Sequence, residues 1–230
     1  MPLDALIGAL LCPICRADWS GSGGCCKSCR SRLVGSASKP GSVLSLDLPG
    51  LVALGYYRGD LAQAVRAYKF RGVRRLAAVF AQSLAAAIMA RGWRPALVTY
   101  VPLHPSRRRR RGFDQARLLA VNVAGHLGLP CRSLLARTRL TPQQARLSAA
   151  QRRHNVRHAF RAVRAAPNRV LLIDDVFTTG ATLGACREAL EDAGARAVLL
   201  AVLAIAPRSN ADRSGQGGSQ GDQQTAGNPQ

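Results

Sequence analysis

Val170-Leu171-Leu172-Ile173-Asp174-Asp175-Val176-Phe177-Thr178-Thr179-Gly180-Ala181-Thr182 is the segment around which this chain is organised. Four apolar residues run directly into two adjacent acids, and a short threonine-rich loop follows. Leu183, Cys186, Leu190 and Ala193 then recur at helical spacing. The order is strand, loop, helix. A continuous apolar run suits a strand buried on both faces of a parallel sheet, so the fold class is α/β with a parallel sheet.

The residue types after the strand fit a phosphorylated sugar. Backbone amides at the loop and helix start can hold a phosphate dianion, helped by the positive end of the helix dipole. The Thr178, Thr179 and Thr182 hydroxyls add donors, and Gly180 permits a turn that brings amides close to a ligand. Asp174 and Asp175 stand at the carboxyl end of the strand, where open α/β sheets bind ligands. An ordinary capped helix after a buried strand explains one acid and one threonine. It does not explain two acids there, because unpaired buried charge is costly.

This segment resembles the phosphoribosyl pyrophosphate (PRPP) motif of type I phosphoribosyltransferases: apolar strand, two acids, then Thr-Thr-Gly-x-Thr. The resemblance implies that Asp174 and Asp175 contact the ribose hydroxyls and act in catalysis. It also implies that Val176, Phe177, Thr178, Thr179, Gly180, Ala181 and Thr182 complete the PRPP site, with the loop 178–182 cradling the 5′-phosphate.

A chain of 230 residues with 47% hydrophobic content can build one sizeable α/β domain plus a small appendage. Lys+Arg number 33 against 12 Asp+Glu, a formal net charge of +21. That balance favours polyanionic partners: nucleic acid, pyrophosphate or a membrane surface. No apolar stretch is long enough to span a bilayer. The first eleven residues carry Asp4 and no basic lead, unlike a signal peptide. The expected location is cytoplasmic, where disulfides are rare.

Near the start, Cys12-Pro-Ile-Cys15 and Cys26-Lys-Ser-Cys29 form two CxxC pairs, with Cys25 an alternative third ligand. Four thiolates at that spacing predict a structural four-cysteine metal knuckle of Cys12, Cys15, Cys26 and Cys29, holding zinc rather than acting as free thiols or a redox pair, with iron the alternative metal. Such a unit is too small for a core of its own. The expected divisions are the knuckle over 1–35, a Pro/Gly-containing linker over 36–50, the main domain over 51–206 and a Gly/Ser/Gln-rich tail over 207–230, too polar to order.

Within the main domain the pattern predicts a strand at 51–57, a helix at 58–70, a long Ala/Leu-rich helix at 73–91, a strand at 96–103, a helix at 113–128 and a last strand at 195–205. Lys69, near a helix end, reads equally as a dipole complement or a ligand residue. His104 opens the loop after the second strand; a satisfied loop histidine is the plainer reading, general acid–base work the sharper one. Five arginines at 107–111, expected on that loop, supply a dense anion site through Arg107, Arg108 and Arg111. No Asp or Glu occurs between Asp114 and Asp174, so the basic segment there, including Arg153, is expected to be a mobile loop that closes on an anion. A nucleic-acid groove is the alternative.

The order of motifs is similar to the ComF family, the competence-protein and GntX-like branch of phosphoribosyltransferase-fold proteins. The resemblance is carried by the cysteine knuckle, Tyr68-Lys69-Phe70, Val101-Pro102-Leu103-His104, Arg111-Gly112-Phe113-Asp114-Gln115, Gln144, Arg153, Asn155, Phe160 and the loop 174–182. It implies a type I phosphoribosyltransferase fold and a link to DNA uptake, competence or DNA utilisation. It implies PRPP with Mg2+ as ligand and transfer of a pentosyl group. Lys69, His104, Arg107, Arg108, Arg111 and Arg153 are then candidates for the pyrophosphate. The alternative is a non-catalytic nucleotide sensor that binds single-stranded DNA or a DNA-uptake helicase. The family pattern has Asn where this chain has Asp114, which exchanges two donors for a charge.

Overall fold

The computed structural model describes residues 11–19, 21, 23–38, 50–138 and 159–206. The main sheet has four strands in the order β1–β7–β5–β2, all parallel: β1 is Leu51–Ala53, β2 Leu97–Tyr100, β5 Arg169–Ile173 and β7 Ala197–Val202. The expected parallel α/β class is the observed one. β5 is an inner strand, with Leu171 opposite Val98 on one side and Leu199 on the other.

Pleating sends successive side chains to opposite faces, and each face has its own core. Val52, Val98, Leu171, Ile173 and Ala201 face one cluster, built with helices α2 (Gly59–Phe70), α3 (Leu76–Ala90) and α5 (Gln115–Leu127). Leu51, Leu97, Val170, Leu172 and Leu200 face the other, built with α6 (Ala181–Asp192) and a two-stranded ribbon. Cover on both faces is why Val170, Leu171, Leu172 and Ile173 are all apolar. In α3, Ala, Val, Leu, Ile and Phe bury most of its circumference, consistent with a helix wedged between the sheet and other helices.

The knuckle is not a separate bead on the chain. Cys12, Ile14, Cys25, Cys29 and Leu33 belong to the same core cluster as Tyr68, Leu76 and Phe80. Its helix α1, Lys27–Ser38, runs into the expected linker, so residues 36–38 are helical. The remainder of that linker, the basic segment 139–158 with Gln144, Arg153 and Asn155, and the tail 207–230 lie outside the described residues.

Several expected elements are corrected. The arginines at 107–111 are not on a loop: they form helix α4, Pro105–Arg111, with Pro105 at its start and the His104 side chain accepting from the Ser106 amide. Proline pre-set at the first helical position and a capping side chain are strong start signals. The ends of the basic segment are paired rather than loose, with β3 (Leu135–Arg137) antiparallel to β4 (Phe160–Ala162). The last strand divides into β7 and β8 (Ala204–Ile205), and β8 pairs with the short β6 (Val176–Phe177). The break falls at the two acids: the Asp174 amide donates to Ala201 O, while Asp175 O accepts from Leu203 and Ala204.

Candidate ligand site at the carboxyl edge of the sheet

Asp174 and Asp175 follow the last residue of β5, at the carboxyl edge of the parallel sheet, and separate β5 from β6. Their surroundings differ. Asp175 is buried, and both its carboxylate oxygens are taken. Lys69 Nζ donates to Oδ1 at 2.9 Å, and Gln115 Nε2 donates to Oδ2 at 3.1 Å. Lys69 comes from the last turn of α2 and Gln115 from the first residue of α5, so three distant segments meet on one carboxylate. Tyr68, fully buried beside Lys69, donates its hydroxyl to Gln115 O at 2.7 Å. Burial first, and the Asp175 charge second, push that phenol's pKa well up. Phe80 and Phe113 pack edge-on against the Tyr68 ring at 5.7 and 5.6 Å. Gln115 Oε1 is buried with no hydrogen-bond partner among the described residues.

Asp174 has different partners. Its Oδ1 accepts from the Asp175 amide at 2.8 Å. Burial, reinforced by the neighbouring Asp175 charge, pushes its carboxyl up to about 8. Arg137 on β3 and the Cys186 thiol on α6 both feel the Asp174 charge. Desolvation holds Arg137 below the usual guanidinium range, and the nearby Arg107 charge adds to it. Arg137 was not among the residues expected from sequence. Its signal was the short Leu-Ala-Arg run opening an arginine-rich, acid-free segment, but nothing in that run reveals that it folds back towards β5.

After Phe177 the chain turns into α6 through Gly180, at φ 77°. A Cβ there would lie 2.9 Å from the Phe177 ring, so a side chain is excluded by conformation and by contact. No side chain caps α6, and no acid stands in its first turn. Thr179 Oγ1 accepts weakly from the Ala181 amide at 3.5 Å. Val176 and Phe177 are half-buried in the β6–β8 pair, Thr178 is exposed, and Thr179, Gly180, Ala181 and Thr182 are half-buried. An uncapped helix start with an adjacent left-handed glycine is suited to an anion.

The other expected anion residues scatter. Lys69 is committed to Asp175. His104 Nδ1 is engaged by the Ser106 hydroxyl at 2.8 Å as well as by its amide, the plainer of the two expected roles. Arg108 is exposed on α4, and the Arg111 guanidinium lies 5.2 Å from the Phe70 ring centroid. Arg107 lies within electrostatic reach of Arg137. Asp114, the departure from the family pattern, works entirely as an acceptor. Its Oδ1 caps α5 through the Arg117 amide at 3.0 Å, and its Oδ2 accepts from the Leu103 amide at 3.3 Å. Two oxygens serve two amides, a task for which an Asn side chain has one oxygen.

In the knuckle, the sulfurs of Cys12, Cys15, Cys26 and Cys29 all lie within 4.8 Å of one another. Zn–S bonds of about 2.3 Å in a tetrahedron place sulfurs about 3.8 Å apart, and Cys15 Sγ and Cys26 Sγ are 3.7 Å apart. The donor set fits a metal such as zinc. Cys26 is the third member and Cys25 is not; it is buried in the core, where its thiol is pushed up to about 11 by desolvation. The Cys26 amide points at Cys12 Sγ and the Cys29 amide at Cys26 Sγ. Burial opposes thiolate formation at Cys12, but the Cys26, Cys15 and Ile14 amides outweigh it and bring the thiol down to about 6.

Among the described residues no helix is long and apolar enough to cross a membrane. No family model matches the chain. It is 31% identical over 182 residues to competence protein F of Haemophilus influenzae, covering 74% of this chain and 79% of that protein. It is 34% identical over 155 residues to the DNA utilization protein YhgH of Salmonella typhi, covering 64% and 68%. Competence protein ComFC of Streptococcus pneumoniae is 32% identical over 136 residues, covering 57% of each chain. Among solved structures, the glutamine PRPP amidotransferase of B. subtilis, in complex with ADP and GMP, aligns with a TM-score of 0.40 at 25% identity, over 56% of this chain and 26% of that one. A purine phosphoribosyltransferase from Pyrococcus horikoshii aligns with a TM-score of 0.36 at 18% identity, over 55% and 70%.

Proposed function

Because this chain belongs to the ComF family of competence and DNA-utilisation proteins, we propose that it binds PRPP, or a related ribose 5-phosphate ligand, in the loop 174–182 and serves the uptake or use of DNA. One observation carries the reading: two acids at the carboxyl edge of an inner parallel strand lead directly into an uncapped helix start turned by Gly180. The α6 amides and Thr178, Thr179 and Thr182 receive the 5′-phosphate. Asp174 receives the ribose hydroxyls, since Asp175 is already held by Lys69 and Gln115. Mg2+ carried in with PRPP would supply neutralising charge for the pyrophosphate, while the residues of the loop 174–182 hold the sugar phosphate.

As a phosphoribosyltransferase, the protein transfers the pentosyl group to a nitrogen acceptor. Positive charge develops at the anomeric carbon as pyrophosphate leaves, and the ionised form of Asp174 stabilises it. Arg137 lies in the field of Asp174, with Arg107 within electrostatic reach of Arg137, and both cations are suited to the departing anion. The test is release of pyrophosphate from PRPP with Mg2+ in the presence of a panel of nitrogen bases. Release by the wild type, reduced about a hundredfold or more in Asp174→Asn, is expected, the range for loss of one preorganised electrostatic contact. PRPP binding without release would leave a sensor in place of an enzyme.

A second reading, single-stranded DNA binding, is favoured by an exposed basic–aromatic patch. Phe70 is 63% exposed, with the Arg111 guanidinium 5.2 Å and Lys69 Nζ 6.0 Å from its ring centroid. The Arg74 guanidinium lies 5.0 Å from the Phe113 ring centroid. An exposed ring among cations, as at Phe70, suits base stacking. The expected signature is affinity that falls steeply with salt, with a shallower slope in Arg111→Ala and weaker binding in Phe70→Ala.

A further inference from the structure

Helix α2 is fastened to the knuckle at both ends. At its first turn, Asp60 Oδ2 accepts from Arg32 Nε at 2.5 Å, and Arg32 Nη2 also approaches Cys29 Sγ at 3.0 Å. At its end, the Arg71 guanidinium donates to the carbonyl of Pro13, inside the Cys12–Cys15 turn. The Arg71 amide itself caps α2 on Ala67 O. The knuckle is also seated backbone to backbone: a Cβ on Gly24 would lie 3.1 Å from the Arg75 carbonyl. Between these ties, the last turn of α2 delivers Tyr68 and Lys69 to Gln115 and Asp175.

We infer that Arg71 is a positioning residue that couples the Cys12/Cys15/Cys26/Cys29 metal site to the acidic loop, so that metal loading sets how firmly Lys69 holds Asp175 and how tightly the loop binds its phosphorylated-ribose ligand. The second half of this inference rests on the ligand reading proposed above. The physical chain is short. A metal held by four thiolates would fix the Cys12–Cys15 and Cys26–Cys29 turns relative to one another. The metal fixes the Pro13 carbonyl and Cys29 Sγ, and these fix the two ends of α2. A shift of α2 by a fraction of an ångström alters the Lys69–Asp175 contact, whose side chains are only 17% and 8% exposed. Charges in such a setting depend strongly on partner geometry. By linkage, ligand binding must tighten metal binding by the same factor.

The experiment compares four forms of the full chain: metal-loaded wild type, wild type stripped with a chelator, Arg71→Ala and Arg71→Lys. Metal stoichiometry, hydrogen exchange of the amides at 67–71 and 173–176, and PRPP affinity with Mg2+ are measured on each. Arg71→Ala is expected to retain one metal per chain, to exchange faster in both segments and to bind PRPP at least about fivefold more weakly, the lower range of allosteric coupling. Metal removal should have the same effect, and removing metal from Arg71→Ala should add little. Arg71→Lys, which can still donate to Pro13 O, should restore both readouts. Metal-loaded Arg71→Ala with unchanged exchange at 173–176 would overturn the coupling. Should Arg71→Ala misfold, Asp60→Ala removes the acceptor of the other tie at an exposed position, and unchanged exchange in that folded, metal-loaded variant would overturn it equally. Faster exchange with no PRPP binding by the wild type would uphold the coupling and remove the ligand reading alone.

Discussion

Asp174 and Asp175 are adjacent, yet the fold gives them different work. Asp175 has a salt bridge and an amide; Asp174 has a desolvated setting and a neighbouring negative charge. A carboxyl raised from the usual range to about 8 binds more protons in the native state than in the unfolded one between those two values. Stability from this group therefore falls as pH rises through that window. Thermal unfolding from about pH 4 to about pH 9 should show Asp174→Asn matching the wild type at the acid end and exceeding it at the alkaline end; parallel curves would contradict the assignment. Lys69 and Asp175 call for a double-mutant cycle. Removing one partner of a buried pair costs about 3–5 kcal/mol, so Lys69→Met and Asp175→Asn should each destabilise strongly and the double variant by much less than their sum. Additivity in chemical denaturation would argue that the pair contributes little. The acids themselves were legible, because two charges ending a buried strand demand a reason. The Lys69 partnership was not, because its partner is 106 residues away and only the packing of α2 and α5 brings them together.

Among the elements, the Gly180 turn and the knuckle make separable statements. Ala at 180 must hold a left-handed φ of 77° and crowd the Phe177 ring. Gly180→Ala should lower stability by about 1–2 kcal/mol and weaken phosphate-containing ligands more than it weakens the fold, seen by comparing denaturation midpoints with ligand affinity. In the knuckle, Cys26→Ser should abolish metal binding while Cys25→Ser leaves one metal per chain, measured as metal released on thiol modification; the reverse result would move the third ligand back to Cys25. Strand–loop–helix order and the two CxxC pairs were readable because periodicity and ligand spacing are local signals. The helical state of the five arginines was readable only in part. Their place between a strand and the next helix suggested a loop, but Pro105 and the His104 cap start a helix there. The β3–β4 ribbon was hidden because three-residue strands carry too little pattern.

At the scale of the whole molecule, one four-stranded sheet covered on both faces sets the two acids at its open edge, and the knuckle shares the core beneath α2. This explains how a chain with a net charge of +21 still presents a concentrated acidic pair: the acids are held by the sheet and by Lys69, while cations occupy the helices and ribbon around it. The core is correspondingly sensitive. Leu172→Ala, at a fully buried position on β5, should cost about 2–5 kcal/mol. The central claim, that residues 174–182 bind a phosphorylated ribose, is tested most directly by calorimetric titration of PRPP with Mg2+ into metal-loaded wild type and Asp174→Asn. Saturable binding by the wild type, lost or sharply weakened in the variant, is the predicted result. A folded, metal-loaded wild type that takes up no PRPP, or a variant that binds as well as the wild type, would contradict it.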